Sequence, residues 1–139
     1  MLTISQLKLE RTTKKNMTRC HVLGLKELER KNLPKDFPSK LRKESFRYFK
    51  GLVSCSPRNK KHIAHLVVFD NSKPYGRRRV WLRCNCEYFK FKCEYVLDRR
   101  GSTTRKYAIR KPPTVTNPRG IPYICKHLYM LILLVRSRV

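Results

Sequence analysis

Apolar and polar positions alternate most clearly in the middle of the chain. Arg79-Val80-Trp81-Leu82-Arg83 follows the period-two pattern of a strand, with Val80 and Leu82 on one face and Trp81 on the other. Upstream, Ile63 to Phe69 is β-branched and apolar, which also favours a strand. The aromatic run Phe46-Arg47-Tyr48-Phe49 places a further strand at about Ser45 to Val53, although Ser39 to Glu44 before it is compatible with a helix start. Ser56-Pro57-Arg58-Asn59-Lys60 is a turn signal between the first two strands, and 70–76 is a loop before the third. These segments predict a three-stranded antiparallel meander.

The pattern then changes period. Glu87 to Arg99 reads as a helix, with Tyr88, Phe91 and Tyr95 as its apolar stripe, widened by Phe89, Cys93, Val96 and Leu97. Glu87 in the first turn and Arg99-Arg100 in the last match the helix dipole, and Gly101 ends it. Residues 101–121, rich in Pro, Thr, Lys and Arg, form a long loop. Pro122 can open a last helix running through Leu134. That helix is apolar nearly all round, so it needs burial on several sides. Near the N-terminus, Leu25, Leu28 and Glu29 suggest a short helix within Val22 to Lys31, and Pro34 and Pro38 stop regular structure. Residues 1–38 therefore read as an extended basic arm, and 39–139 as one α+β domain of three strands followed by two helices. The arm is expected to lie on its own domain or on a neighbour.

Charge narrows the partners. Of 139 residues, 34 are Lys or Arg and 9 are Asp or Glu, a formal net charge of +25. A compact chain this positive repels itself unless anions surround it, and those anions are nucleic-acid phosphate or acidic protein surface. Arg77, Arg78, Arg79, Arg99, Arg100, Arg105 and Lys106 are the candidate contacts. Hydrophobic residues make up 40% of the chain, too many for a disordered basic tail. No apolar h-region marks a signal peptide, and the longest apolar run, Leu128 to Val135, is far shorter than the ~20 residues of a membrane span. No membrane contact and no small-molecule substrate are expected. No nucleophile–base pair, phosphate-cradling glycine loop or spaced carboxylate pair is visible, so no enzymatic activity is expected.

The chemistry lies in the cysteines. Cys84-Asn85-Cys86 presents two thiols on one tight turn, and Cys125-Lys126-His127 adds a thiol and an imidazole at a helix start. Residues two apart share no helix face, so the second pair works only at a terminus. Together the four make a soft, closed donor set suited to one structural Zn²⁺. The metal would pin the end of the third strand to the start of the last helix, within a zinc module spanning 80–139. Cys93 lies on the helix stripe as a core thiol, or alternatively as a replacement ligand. Cys20 and Cys55 read as free thiols, and His62 and His65 point to opposite faces of a strand.

The two pairs resemble the CxC…CxH pattern of the SWIM zinc finger over roughly the last 60 residues. The spacer between Cys86 and Cys125 is longer than is usual there. SWIM modules are described as binding DNA or other proteins. More narrowly, Cys84-Asn-Cys-Glu-Tyr-Phe-Lys-Phe-Lys-Cys-Glu-Tyr, Thr116-Asn-Pro-Arg-Gly-Ile-Pro and Cys125-Lys-His-Leu look like a group of small tailed-bacteriophage proteins. That resemblance implies a virion component of the tail, baseplate or neck. Such a protein would be made in the host cytoplasm and would dock on acidic subunits of the particle. The alternative is a nucleic-acid-binding zinc module.

Overall fold

The computed structural model describes residues 1–15, 17–55, 60–106 and 117–139, apart from the side chain of Thr18. The expected turn at 56–60, except Lys60, and the middle of the loop expected at 101–121 therefore lie outside the described residues. The centre of the fold is an antiparallel sheet in chain order: β1 (Cys20–Leu28), β2 (Phe46–Cys55), β3 (Lys60–Phe69) and β4 (Val80–Cys84). Three of these are the predicted strands with slightly moved ends. The fourth, β1, replaces the helix expected within Val22 to Lys31, so the sheet has four strands and not three. β1 pairs with β2 from Cys20↔Cys55 to Leu28↔Tyr48, and its register slips at Leu23, between Val22 and Gly24. That β-bulge makes the sheet-facing apolar set Cys20, Val22 and Leu25, a spacing of two and then three. The broken alternation imitates a helical period.

The register also corrects the reading of two cysteines. Cys20 and Cys55 stand opposite each other and form a disulfide. Their separation of 35 residues hides the pairing from the sequence.

Both faces of the sheet are covered. On one face, Phe49, Leu66, Val68, Val80, Leu82 and Cys84 pack against α3 (Lys126–Val135) and the helical segment after β4. On the other, Tyr48, Val67, Phe69 and Trp81 pack under Leu33, Phe37 and Leu41. The latter three come largely from the stretch read as an arm. Much of that stretch belongs to the chain's own fold: β1 is a strand of the sheet, and Leu2, Leu33 and Phe37 are buried in its two cores. Leu2 is 1% exposed, and its carbonyl accepts from Val80 N–H at 3.0 Å. Ser102 O accepts from Leu82 N–H at 2.7 Å, so the outer edge of β4 is sealed by both segments. α1 (Arg11–Lys15) is one turn long.

The helix expected over 87–99 is present but does not keep one period. Phe89–Cys93 is a π-turn, and α2 (Glu94–Arg99) follows it. Each π-turn rotates the buried stripe relative to a regular helix. The buried side chains are consequently Phe89, Cys93, Glu94, Val96 and Leu97, while Phe91 from the expected stripe is exposed. α3 begins at Lys126, four residues after Pro122, and Leu133 and Leu134 are exposed on its outer side. No helix among the described residues is long and apolar enough to cross a membrane.

Candidate metal centre

Cys84 is the last residue of β4 and points to the α3 face, opposite Ala64. The chain then turns sharply. Asn85 holds the turn to β3: its Oδ1 accepts from Ile63 N–H at 3.0 Å and lies 3.2 Å from His62 Nδ1, and its own N–H donates to Ile63 O at 3.3 Å. This fixes Cys86 beside Cys84. Cys86 Sγ accepts from Phe89 N–H at 3.4 Å, which ties the knuckle into the π-turn.

The second pair is set by the N-terminal segment. Lys8 N–H donates to Pro122 O and Lys8 O accepts from Ile124 N–H, both at 2.9 Å. Asn117, 4% exposed, closes the turn before it by donating to Ile121 O at 2.8 Å and accepting from Ile121 N–H at 3.0 Å. Cys125 is then the N-cap of α3, in extended conformation, and its carbonyl accepts from Tyr129 N–H at 3.1 Å. His127 lies in the first turn. The pair therefore sits at a helix terminus, the one place where residues two apart can converge.

All four side chains are buried, and the Sγ atoms of Cys84, Cys86 and Cys125 and a ring nitrogen of His127 lie within 4.8 Å of one another. Three sulfurs so close cannot all ionise without a cation between them. Cys86 is pulled well below the ordinary thiol range by the hydrogen bond from Cys125 and then by that from Cys84. Burial pushes Cys125 far above it. His127 supplies the second sign. Both of its ring nitrogens are buried with no nitrogen or oxygen partner among the described residues, and the Cys86 sulfur beside it is also drawn down by this ring. An imidazole always carries polar capacity at both nitrogens, and each buried orphan costs about 1–3 kcal/mol. A metal–nitrogen bond satisfies one of them. The buried Cys₃His cluster can hold a metal ion, and its donors fit a single tetrahedral centre with bonds of about 2.0–2.3 Å.

Cys93 is buried nearby but is not one of the clustered ligands; burial first, then Cys86, raises its thiol well above the ordinary range. His62 packs its ring 4.5 Å from that of His127, and burial followed by His127 lowers its basicity. Asn85, Lys8 and Asn117 carry no motif signal for these roles, because each acts through contacts distant in sequence.

The seven candidate cations divide. Arg77, Arg99, Arg100 and Lys106 are exposed. Arg78 is buried and donates through Nε to Lys73 O at 2.9 Å. Arg105 reaches Asp98 at 3.3 Å. Arg79 holds Asp70 at 2.8 and 2.9 Å and Glu44 at 2.5 Å, closing the β3–β4 turn. Asp70, at φ 56, accepts from the Arg79 side chain and backbone, and these bonds lower its carboxyl to about 2. A depressed carboxylate stabilises the fold above the unfolded value near 3.8 and loses that contribution as pH falls toward 2. Asp70→Asn should therefore lower stability at pH 7 by about 1–2 kcal/mol, allowing for solvent around Arg79. The difference from wild type should be constant between about pH 6 and 8, where the carboxylate is fully ionised in both states, as read from urea midpoints.

No protein-family model, curated protein or solved structure matches the chain.

Proposed function

We propose that this chain is a non-enzymatic structural adaptor, clasped by zinc and built to dock on acidic macromolecular partners, as a component of a tailed-phage particle. The observation that carries the reading is the closed ligand set. Cys84, Cys86, Cys125 and His127 lie close enough together to supply all four ligands of a tetrahedral shell from the protein itself. Catalytic zinc sites keep a position for water, whereas structural sites do not. Three thiolates and an imidazole favour zinc over harder cations. The charge of +25 supplies the attraction to anionic partners. The CxC…NP…CKHL pattern, through its resemblance to small phage proteins, supplies the particle.

Elemental analysis is expected to give one zinc per purified chain. Crosslinking within isolated particles is expected to join this chain to acidic subunits at a fixed stoichiometry. A free monomer that sediments with no particle and binds none of its proteins would defeat the adaptor reading.

A second reading, contact with nucleic-acid phosphates through Arg99 and Arg100 at the end of α2 and through Arg77 before β4, is favoured by the exposure of all three. It requires affinity that falls with salt at a log–log slope of about −0.9 per duplex phosphate contacted.

A further inference from the structure

One row of the sheet carries basic side chains on all four strands. Lys26 stands opposite Lys50, Lys50 opposite His65, and His65 opposite Arg83. Residues opposite one another in antiparallel strands share a face, and neighbouring strands lie about 4.8 Å apart. This face is the one away from the metal centre, because Arg83 alternates with Cys84. The next row, Leu28, Tyr48, Val67 and Trp81, is roofed by Leu33, Phe37 and Leu41. Among the described residues that roof ends there, and Lys26 and Lys50 of the basic row are exposed beside it.

The row grades from exposed to buried. Lys26 and Lys50 are exposed, His65 is half-buried and Arg83 is 3% exposed. At the buried end, the chain after α2 brings in Lys106. The result is a pocket of about 120 Å³ lined by Lys50, Ile63, His65, Arg83, Asn85 and Lys106.

The pocket's polar groups are positioned in advance. Arg83 is held by Asp36 through two hydrogen bonds of 2.8 and 2.5 Å and stacks over Trp81 at 4.9 Å. Its Nε–H is buried and has no acceptor among the described residues. The Tyr48 hydroxyl lies 2.7 Å from His65 Nδ1. In the tautomer where the Tyr48 O–H donates to Nδ1, the ring proton resides on Nε2. Donor-bearing side chains therefore line one small space. Of the carboxylates nearby, Asp36 is engaged by Arg83, and Glu94 Oε2 accepts from Lys106 N–H at 3.3 Å.

The geometry points to a phosphate-binding pocket at Lys50, His65, Arg83 and Lys106, taking a phosphoryl group on the sheet face opposite the metal centre. The ligand class follows from the donors. A phosphoryl oxygen can accept from Arg83 Nε and His65 Nε2 while its charge is met by Lys50 and Lys106, as charge-assisted bonds require. Burial first, then Lys50, Arg83 and Lys106, holds His65 neutral down to about 4, against the weaker pull of Asp36. A bound phosphate reverses that field. The inference does not depend on the adaptor reading, since a phosphate pocket stands or falls without any particle.

Two measurements on the full metal-loaded chain test it. In the first, the His65 ring is followed by NMR at about pH 6.5, where the metal ligands keep their charge state, with inorganic phosphate, a mononucleotide, and single-stranded or duplex oligonucleotides as separate probes. The free ring is neutral there, and phosphate is expected to shift it toward the protonated form. If oligonucleotides do so too and compete with phosphate, the source is a nucleic-acid backbone; if only the small probes do, the source is free phosphate or nucleotide. No shift with any probe, or a larger shift with an acidic peptide than with phosphate, overturns the pocket.

In the second, Lys50→Glu is compared with Lys14→Glu, an exposed lysine remote from the pocket. Lys50→Glu should weaken phosphate-probe binding about tenfold. Where the ligand is an oligonucleotide, it should also reduce the log–log salt slope by about one. Lys14→Glu should cost less than about twofold at physiological salt. Equal losses would reduce the effect to overall charge and overturn the site. Trp81, the sole tryptophan of the chain, lies under Arg83 and reports whether the fold is kept.

Discussion

Stripping the proposed metal from this protein should unfold the half of the molecule that contains α3. Cys84, Cys86 and Cys125 are members of the largest hydrophobic cluster, which also holds Phe89, Leu97, Leu128 and Leu131. The clasp is thus inside the core. It joins β4 to α3 across a connection that includes the long segment after α2. A structural zinc contributes about 10–16 kcal/mol of apparent binding energy at pH 7, and a domain of this size has about 5–15 kcal/mol in total. Loss of the first can remove all of the second. Chelation, Cys84→Ser and Cys125→Ser should each abolish hydrogen-exchange protection in β4 and α3. Acid should do the same, because thiolates and imidazole bind metal only when deprotonated. Cys93→Ser is the control: that thiol lies outside the ligand cluster, so one metal per chain should remain. A Cys84→Ser protein with wild-type metal content and protection would show that the four residues are packed without a metal.

The donor set was readable because its spacing is local within each pair. Cys-x-Cys and Cys-x-His need only a tight turn and a helix start, and both leave marks in sequence. What brings the pairs together is not local. Asn85 is tied to β3, and Lys8 is tied to the strand-like segment before α3. Nothing in the sequence distinguishes those residues from ordinary polar positions. The middle strands were readable for a similar reason, since β-branched and aromatic runs keep their alternation through β2, β3 and β4.

β1 was not readable, because the bulge at Leu23 breaks its alternation and Gly24 follows at once. Leu25 and Leu28 are three apart and look like one helix face, yet they lie on opposite sides of the sheet. Leu25 packs with the metal-side core and Leu28 with the Trp81 cluster. Missing β1 meant missing the Cys20–Cys55 disulfide, which follows from strand register alone. The helix stripe failed for a related reason. A π-turn inserts one residue into the period, so the extent of the helix was visible while its buried face was not.

Trp81→Ala should cost about 3–5 kcal/mol, the usual cost of deleting a large aromatic from a packed core. Trp81 is 0% exposed and is the second residue of β4. Phe37 meets it edge-on at 5.0 Å, Arg83 stacks over it, and its Nε1–H donates to Thr104 Oγ1 at 3.3 Å. It is therefore the residue on which the segment from Leu33 to Leu41 rests. Removing it should lower the urea midpoint and open new tryptic sites at Lys31, Lys35 and Lys40 while the rest of the sheet stays protected. Trp81→Phe, which keeps an aromatic partner for Phe37, should lose much less. Metal content should not change in either variant, since Trp81 and Cys84 point to opposite faces of one strand. Loss of metal together with the tryptic opening would show that the two cores are a single cooperative unit, and a loss below about 1 kcal/mol would show that Phe37 holds its place without Trp81.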